Sequence, residues 1–182
     1  MKKKILIISG GISKEREISL NTGKQVFKEL KKNRFKVKIC EPDYNLQNII
    51  KKFKPNIIFN ALHGQFGEDG YIQSILENFG IPYTHSGITA SAKAMDKYVS
   101  KKLFIKNKIL TPKFLKFSFD KSKLELNTLI KKKFGFPVVI KPINEGSSVN
   151  VFICDQSNIH KKLKLLSVYK EILIEQFIPG RE

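Results

Sequence analysis

Short apolar runs alternate with stretches of helical spacing from Lys4 to Thr84, and this alternation limits the possible folds more than any other feature. Lys4–Ser9 is a buried-strand run that stops at Gly10-Gly11, too short for the apolar core of a signal peptide. From Glu17 to about Asn33, Leu20, Val26, Phe27 and Leu30 fall near one helical face. Lys36–Cys40 alternates as a strand, and Leu46–Lys54 reads as a helix ended by Pro55. Asn56–Leu62 reads as a strand, Tyr71–Asn78 as a helix, and Ile81–Thr84, after Gly80, as a fourth strand. Successive β–α units predict an α/β fold, a parallel sheet with helices on its faces. Ligands of such sheets sit at the carboxyl ends of the strands, where both Gly-rich loops fall.

The pattern changes near Gly87, where a domain boundary is expected. Ala90–Lys108 reads as one long helix, broken by Ile109-Leu110-Thr111-Pro112. Strands are expected at Lys113–Ser118, Phe136–Lys141, Val149–Cys154 and Glu171–Phe177, with helices at Leu124–Lys133 and Ser157–Leu166. The sequence given stops at Ile178-Pro179-Gly180-Arg181-Glu182, directly after a strand, which reads as the end of a fragment.

Charge is a weaker guide. The formal net charge is +18, yet the basic residues are 31 Lys and only three Arg: Arg16, Arg34 and Arg181. Arginine makes the bidentate contacts that read guanine edges, and the lysines are spread along the chain. The excess reads as a solvated surface rather than a nucleic-acid interface. No apolar run approaches the ~20 residues of a membrane span. Cys40 and Cys154 form no metal-type or disulfide framework, which fits a reducing cytoplasm.

Four loops carry candidate chemistry. In Ser9-Gly10-Gly11-Ile12-Ser13-Lys14-Glu15-Arg16-Glu17, glycines let backbone approach a ligand, while Glu15 suits an ammonium group. Taken alone, Glu15 also reads as a first-turn carboxylate favourable to the helix dipole. His63-Gly64-Gln65-Phe66-Gly67-Glu68-Asp69-Gly70 gathers a His and two acids among three glycines. His63 there is either a carboxylate partner or a loop histidine satisfied by backbone. Lys141-Pro142-Ile143-Asn144-Glu145-Gly146-Ser147-Ser148 brings a lysine to a Gly/Ser loop, a combination suited to polyphosphate, or is a polar turn with an exposed lysine. Glu175-Gln176-Phe177-Ile178 offers a strand edge to an adenine and an apolar side chain to its face, or is an ordinary strand leading to a Pro-Gly turn. Lys97 in Met95-Asp96-Lys97 reads, with Lys101, as a solvated helix face when taken alone.

Taken together and in this order, these motifs resemble the D-alanine–D-alanine ligase family of the ATP-grasp superfamily, over Lys4 to Glu182. The resemblance implies a Rossmann-like substrate domain at 1–87, a central ATP-grasp lid subdomain at 88–175, and at 176–182 the start of a third, catalytic domain. It implies ATP-dependent joining of two D-alanines through an acyl phosphate for peptidoglycan, with magnesium or manganese, in a cytoplasmic homodimer with no nucleic-acid or membrane partner. Glu15 then holds the first D-alanine's ammonium, His63 lies near its carboxylate, and Ser147 matches the loop serine linked to Glu15. Lys97 and Lys141 match the phosphate-binding lysines, and Gly146, Ser147 and Ser148 the loop that covers the phosphates. Glu175, Gln176, Phe177 and Ile178 match the adenine-reading segment, and Glu182 the ribose-binding acid.

The chain departs from the family pattern at Asn150, where Gly is usual, and at Gln176, where Lys is common. Asn tolerates a left-handed backbone, so the turn is expected to survive. The family's metal ligands, transition-state Arg and second D-alanine loop lie in the third domain, so this chain alone is expected to show negligible ligase activity and weak ATP affinity. Alternatives are a ligase joining D-alanine to D-lactate or D-serine, and a non-catalytic nucleotide-binding fragment.

Overall fold

A central strand with four buried apolar residues in a row must be covered on both faces. That is the position of β1 (Lys4–Ile8), in which Ile5, Leu6, Ile7 and Ile8 are all buried. The computed structural model describes residues 2–120 and 126–181. In it β1 lies between β2 (Lys36–Cys40) and β3 (Ile57–Asn60), parallel to both. Helix α1 (Arg16–Lys32) covers one face, placing Val26, Phe27 and Leu30 against Ile7, Val37 and Ala61. Helices α2 (Leu46–Phe53) and α3 (Tyr71–Glu77) cover the other, with Leu46, Ile50, Ile72 and Leu76 packed on Leu6, Ile8 and Ile58.

The expected fourth strand is a single parallel bridge, Ile58 to Tyr83. Pro82 can accept, and does so from Ile58 N at 2.9 Å, but it has no N–H to extend a ladder. Thr84 then offers its hydroxyl, rather than its backbone, to Asn60 N, and the chain turns at His85 with φ 78°.

The expected helix over 90–108 is two helices, α4 (Ile88–Met95) and α5 (Lys97–Lys106). Asp96 separates them: its backbone is extended, and its carboxylate accepts from Val99 N at 2.8 Å. This is an N-cap, which starts a helix in the middle of a helical-looking sequence. The chain divides into two compact units, Met1–Ala94 and Met95–Glu182, so almost all of α4 belongs to the first.

The second unit is built on an antiparallel sheet in the order β4-β7-β5-β6: β4 (Phe114–Ser118), β5 (Val138–Pro142), β6 (Phe152–Cys154) and β7 (Glu171–Gln176). Its core face carries Leu115, Phe117, Val138, Ile140, Ile172 and Ile174. These pack on Leu126 and Ile130 of α6 (Leu126–Lys133) and on Ile159 and Leu163 of α7 (Ile159–Leu165). The first residues expected in α6, 124 and 125, lie outside the described residues. Because side chains alternate along a strand, Glu175, Leu173 and Lys141 stand on the opposite face. β6 is shorter than expected at its start: Ser147, Ser148 and Asn150 have φ of 44°, 56° and 57°, so the Gly/Ser loop runs on to Val151.

Asp96→Ala is expected to destabilise the second unit by about 1 kcal/mol in urea unfolding, and Asp96→Asn to cost only a fraction of that. Equal effects of the two would show that the cap bond contributes nothing.

Candidate functional site

In the first unit the loops after β1 and β3 are pinned to one another by short side chains. Ser19 of α1 is fully buried; its Oγ accepts from Gly10 N at 2.7 Å and donates to Ala61 O at 2.8 Å. Gly23, one helical turn on, lets α1 approach β1, because a Cβ there would stand 2.6 Å from Ser9 Cβ. Ser13 Oγ donates to His63 O at 2.6 Å and accepts from Glu15 N at 3.1 Å. Glu15 is the N-cap residue of α1, and its side chain makes no capping bond there. Its carboxylate lies over the other loop instead: a Cβ on Gly64, where φ is 70°, would stand 2.7 Å from Glu15 Oε2. Glu15 and His63 are thus brought to the same end of the sheet.

His63 has two side-chain neighbours, Thr22 Oγ1 at 3.2 Å from Nε2 and Glu68 Oε1 at 4.0 Å from Nδ1. The second oxygen of Glu68 accepts from Gly64 N at 3.0 Å, which ties this acid to the loop. Asp69 secures the turn into α3, its two oxygens accepting from Phe66 N at 2.8 Å and Tyr71 N at 3.0 Å. Buried Asn60 holds the far side of the loop, donating to Gly67 O at 2.9 Å. Arg16 pairs with Glu41 at 2.7 Å.

In the second unit, Lys97 opens α5 and donates through Nζ to Ile143 O at 3.3 Å and to Glu145 O. It therefore reaches the backbone of the Lys141–Ser148 loop. Burial first, and then the neighbouring Lys141 ammonium, push Lys97 below the ordinary lysine value of 10.5. Lys141 donates to Glu175 Oε1. The other oxygen, Glu175 Oε2, lies 2.8 Å from Lys101 Nζ. Lys101, expected on a solvated face, is buried, and it also donates to Thr111 Oγ1 at 2.7 Å. An ammonium at that depth is held by a carboxylate and a hydroxyl that the sequence places far away.

The Gly146-Ser147-Ser148 turn closes with Val149 N donating to Gly146 O at 3.0 Å. Asn150 takes the left-handed conformation that the family pattern meets with Gly, and its Nδ2 donates to Tyr169 Oη at 2.8 Å. Tyr169 donates in turn to Glu145 Oε1 at 3.0 Å. At the end of β7, Gln176 N donates to Lys113 O at 2.8 Å and Phe177 N to Pro137 O at 3.4 Å, and Ile178 is exposed. The Glu175 side chain is committed to the two lysines, and its backbone lies within the sheet, opposite Phe114 of β4 and Val139 of β5. Glu182 lies outside the described residues.

The second unit thus brings together Lys97, Lys141 and Glu175, and ties Lys97 to the backbone of the loop that carries Gly146, Ser147 and Ser148. Sequence reading missed Lys101, Thr111 and Tyr169 here, and Ser19 and Thr22 in the first unit. The one usable signal was the spacing of Lys101, four residues after Lys97 and so on the same helix face. Among the described residues no group of three or more His, Cys, Asp or Glu could hold a metal ion. No helix among them is long and apolar enough to cross a membrane.

Two loops at the carboxyl end of a parallel sheet, followed on an antiparallel sheet by a Gly/Ser loop that a lysine reaches, are the layout of an ATP-grasp type of fold. Comparison with known proteins agrees. The family model described as D-ala D-ala ligase N-terminus matches residues 41–86, and that described as D-ala D-ala ligase C-terminus matches residues 103–182. The chain belongs to the D-alanine–D-alanine ligase family. It is 70% identical, over all of its length, to the D-alanine–D-alanine ligase of Pelagibacter ubique, and spans 60% of that protein. It is 41% identical to that of Carboxydothermus hydrogenoformans, covering 98% of this chain and 59% of that relative. The crystal structure of the D-alanine–D-alanine ligase from Bacillus anthracis superposes with a TM-score of 0.86 at 34% identity, over 98% of this chain and 58% of that one. The same enzyme complexed with ATP gives a TM-score of 0.81 at 32% identity, over 98% and 60%.

Ser19→Ala would leave Gly10 N–H and Ala61 C=O without their buried partner. The expected loss is about 2 kcal/mol of first-unit stability in urea unfolding. A change below about 0.5 kcal/mol would show that the clamp is dispensable.

Proposed function

We propose that this chain supplies the first-substrate and nucleotide-binding parts of a cytoplasmic, ATP-dependent D-alanine–D-alanine ligase for peptidoglycan synthesis. The observation that carries this reading is that Lys97, with Lys141 close enough to repel it, reaches the backbone of the Lys141–Ser148 loop at Ile143 and Glu145, in a chain 70% identical to such a ligase. The relatives' names favour D-alanine over D-lactate or D-serine as the second substrate.

The reaction has two steps. The γ-phosphoryl group passes from ATP to a carboxylate oxygen of the first D-alanine, giving ADP and an acyl phosphate. The amine of the second D-alanine attacks the acyl carbon; the C–N bond forms, the bond to phosphate breaks, and phosphate and a proton leave. The demands are positioning, neutralisation of phosphate charge and exclusion of water. Lys97 and Lys141 supply positive charge to the phosphates. Gly146, Ser147 and Ser148 offer amides and hydroxyls above them. The Gln176–Ile178 backbone and the Phe177 ring receive the adenine, and Glu182 the ribose. Glu15 holds the first D-alanine's ammonium and His63, oriented by Glu68, its carboxylate. Glu68 and Thr22 are the supports that keep the imidazole in place.

Calorimetry with the chain should show Lys97→Met and Lys141→Met each weakening ATP by at least about tenfold. Glu15→Gln should remove D-alanine binding and spare ATP. ATP binding indifferent to both lysines would overturn the reading.

A pH dependence follows from Lys97. Its folded value is lowered, so on alkaline titration it loses its proton before a solvated lysine does. The unfolded chain binds more protons in that window, so the free protein gains stability as pH rises through it toward 10.5. Bound phosphate favours the charged form, so ATP affinity falls over the same window and binding takes up protons there. Calorimetry in buffers of different ionisation enthalpy should detect that uptake in the native chain and not in Lys97→Met.

A further inference from the structure

We propose that Lys101 is a positioning residue: by occupying one oxygen of Glu175 it keeps Lys141 from being neutralised and leaves that ammonium available to a phosphate. This rests on the nucleotide-binding reading above and assigns a role to a residue that contacts no ligand in it.

The surroundings of Lys101 show that it does not bind phosphate itself. It is 6% exposed in a chain whose other lysines are mostly solvated. Its ammonium lies 2.8 Å from Glu175 Oε2, donates to Thr111 Oγ1 at 2.7 Å, and sits 5.1 Å from the centre of the Phe114 ring. A carboxylate, a hydroxyl and an aromatic face account for the three N–H donors. Burying an ammonium is costly, and exposed positions are plentiful on α5, so its place calls for an explanation in terms of what it holds.

What it holds is Glu175. That residue stands on the sheet face opposite the core, with its backbone paired to Val139. Lys141, two residues further along β5, is its diagonal neighbour on the same face. One carboxylate therefore serves two ammonium groups, one oxygen each, and the trio keeps an excess positive charge. Lys97 adds another cation close enough for Lys141 to repel it. If Lys101 were neutral, Glu175 and Lys141 would cancel, with both carboxylate oxygens turned to one ammonium. A phosphate would then have to compete with a closed ion pair for Lys141. Lys101 thus sets how much charge Lys141 can offer, through Glu175 and without touching the ligand.

The test uses Lys101→Met in the whole chain, with two readouts. ADP affinity should fall about tenfold while adenosine affinity is unchanged, because only the phosphate contact is affected. In the free protein, acylation of Lys141, followed by mass spectrometry and referenced to exposed Lys52, should slow about threefold as Glu175 closes on it. Lys101→Arg should restore ADP affinity to near the native value. If Lys101→Met does not fold, Glu175→Gln, which keeps the side-chain volume, should release Lys141 and speed its acylation. Unchanged Lys141 acylation in whichever variant folds overturns the proposal, as does equal weakening of ADP and adenosine. If the native chain binds neither ligand, the nucleotide reading fails by itself, and the acylation rates still decide whether Lys101 governs Lys141.

Discussion

A carboxylate buried between two ammonium groups is the constraint around which the second unit is arranged. Glu175 could not lie 7% exposed on a strand without partners, since an uncompensated buried charge costs several kcal/mol. Its two partners come from different elements: Lys101 from α5 and Lys141 from β5. The ionic contacts therefore tie the helix to the sheet on the face that the apolar core leaves uncovered. The same lysine row, through Lys97, reaches the carbonyls of the Gly/Ser loop. Packing, charge and the candidate phosphate site share these few side chains.

The first unit solves a related problem with neutral groups. Two loops rich in glycine would be poorly ordered by themselves. Ser19, Ser13 and Asn60 each bridge backbone groups of separate segments, and all three bonds fall at the carboxyl end of the parallel sheet. The glycines then serve approach rather than flexibility: Gly23 admits the helix to β1, and Gly64 leaves room for the Glu15 carboxylate. The result places Glu15 and His63 at the same end of the sheet, with Thr22 hydrogen-bonded to the histidine.

Much of this was legible from local pattern. The apolar runs of β1, β5 and β7 and the spacing of α1 announced those elements, their order along the chain and the parallel first sheet, while the second sheet followed only from the family resemblance. The errors came where one residue's chemistry outweighs a pattern. Asp96 caps a new helix inside a stretch that reads as one, Pro82 cuts a strand to a bridge, and three left-handed residues delay β6. The site was legible as motifs and illegible as partnerships. Glu175 and Lys101 are far apart in sequence, as are Tyr169 and Asn150, and nothing local to any of them marks the pairing. Lys101 was the sharpest case, since in a chain of net charge +18 a lysine on a helix reads as solvent-facing.

That background of lysines attracts any polyanion, whether or not a built phosphate site is present. Lysine-Cε carbon-13 spectra of the chain titrated with ATP separate the two possibilities. With ATP seated at a built site, the Lys97 and Lys141 resonances should move and saturate together, while exposed lysines such as Lys52 and Lys164 stay in place. Small, unsaturated shifts spread over all the lysines and abolished by salt would contradict such a site.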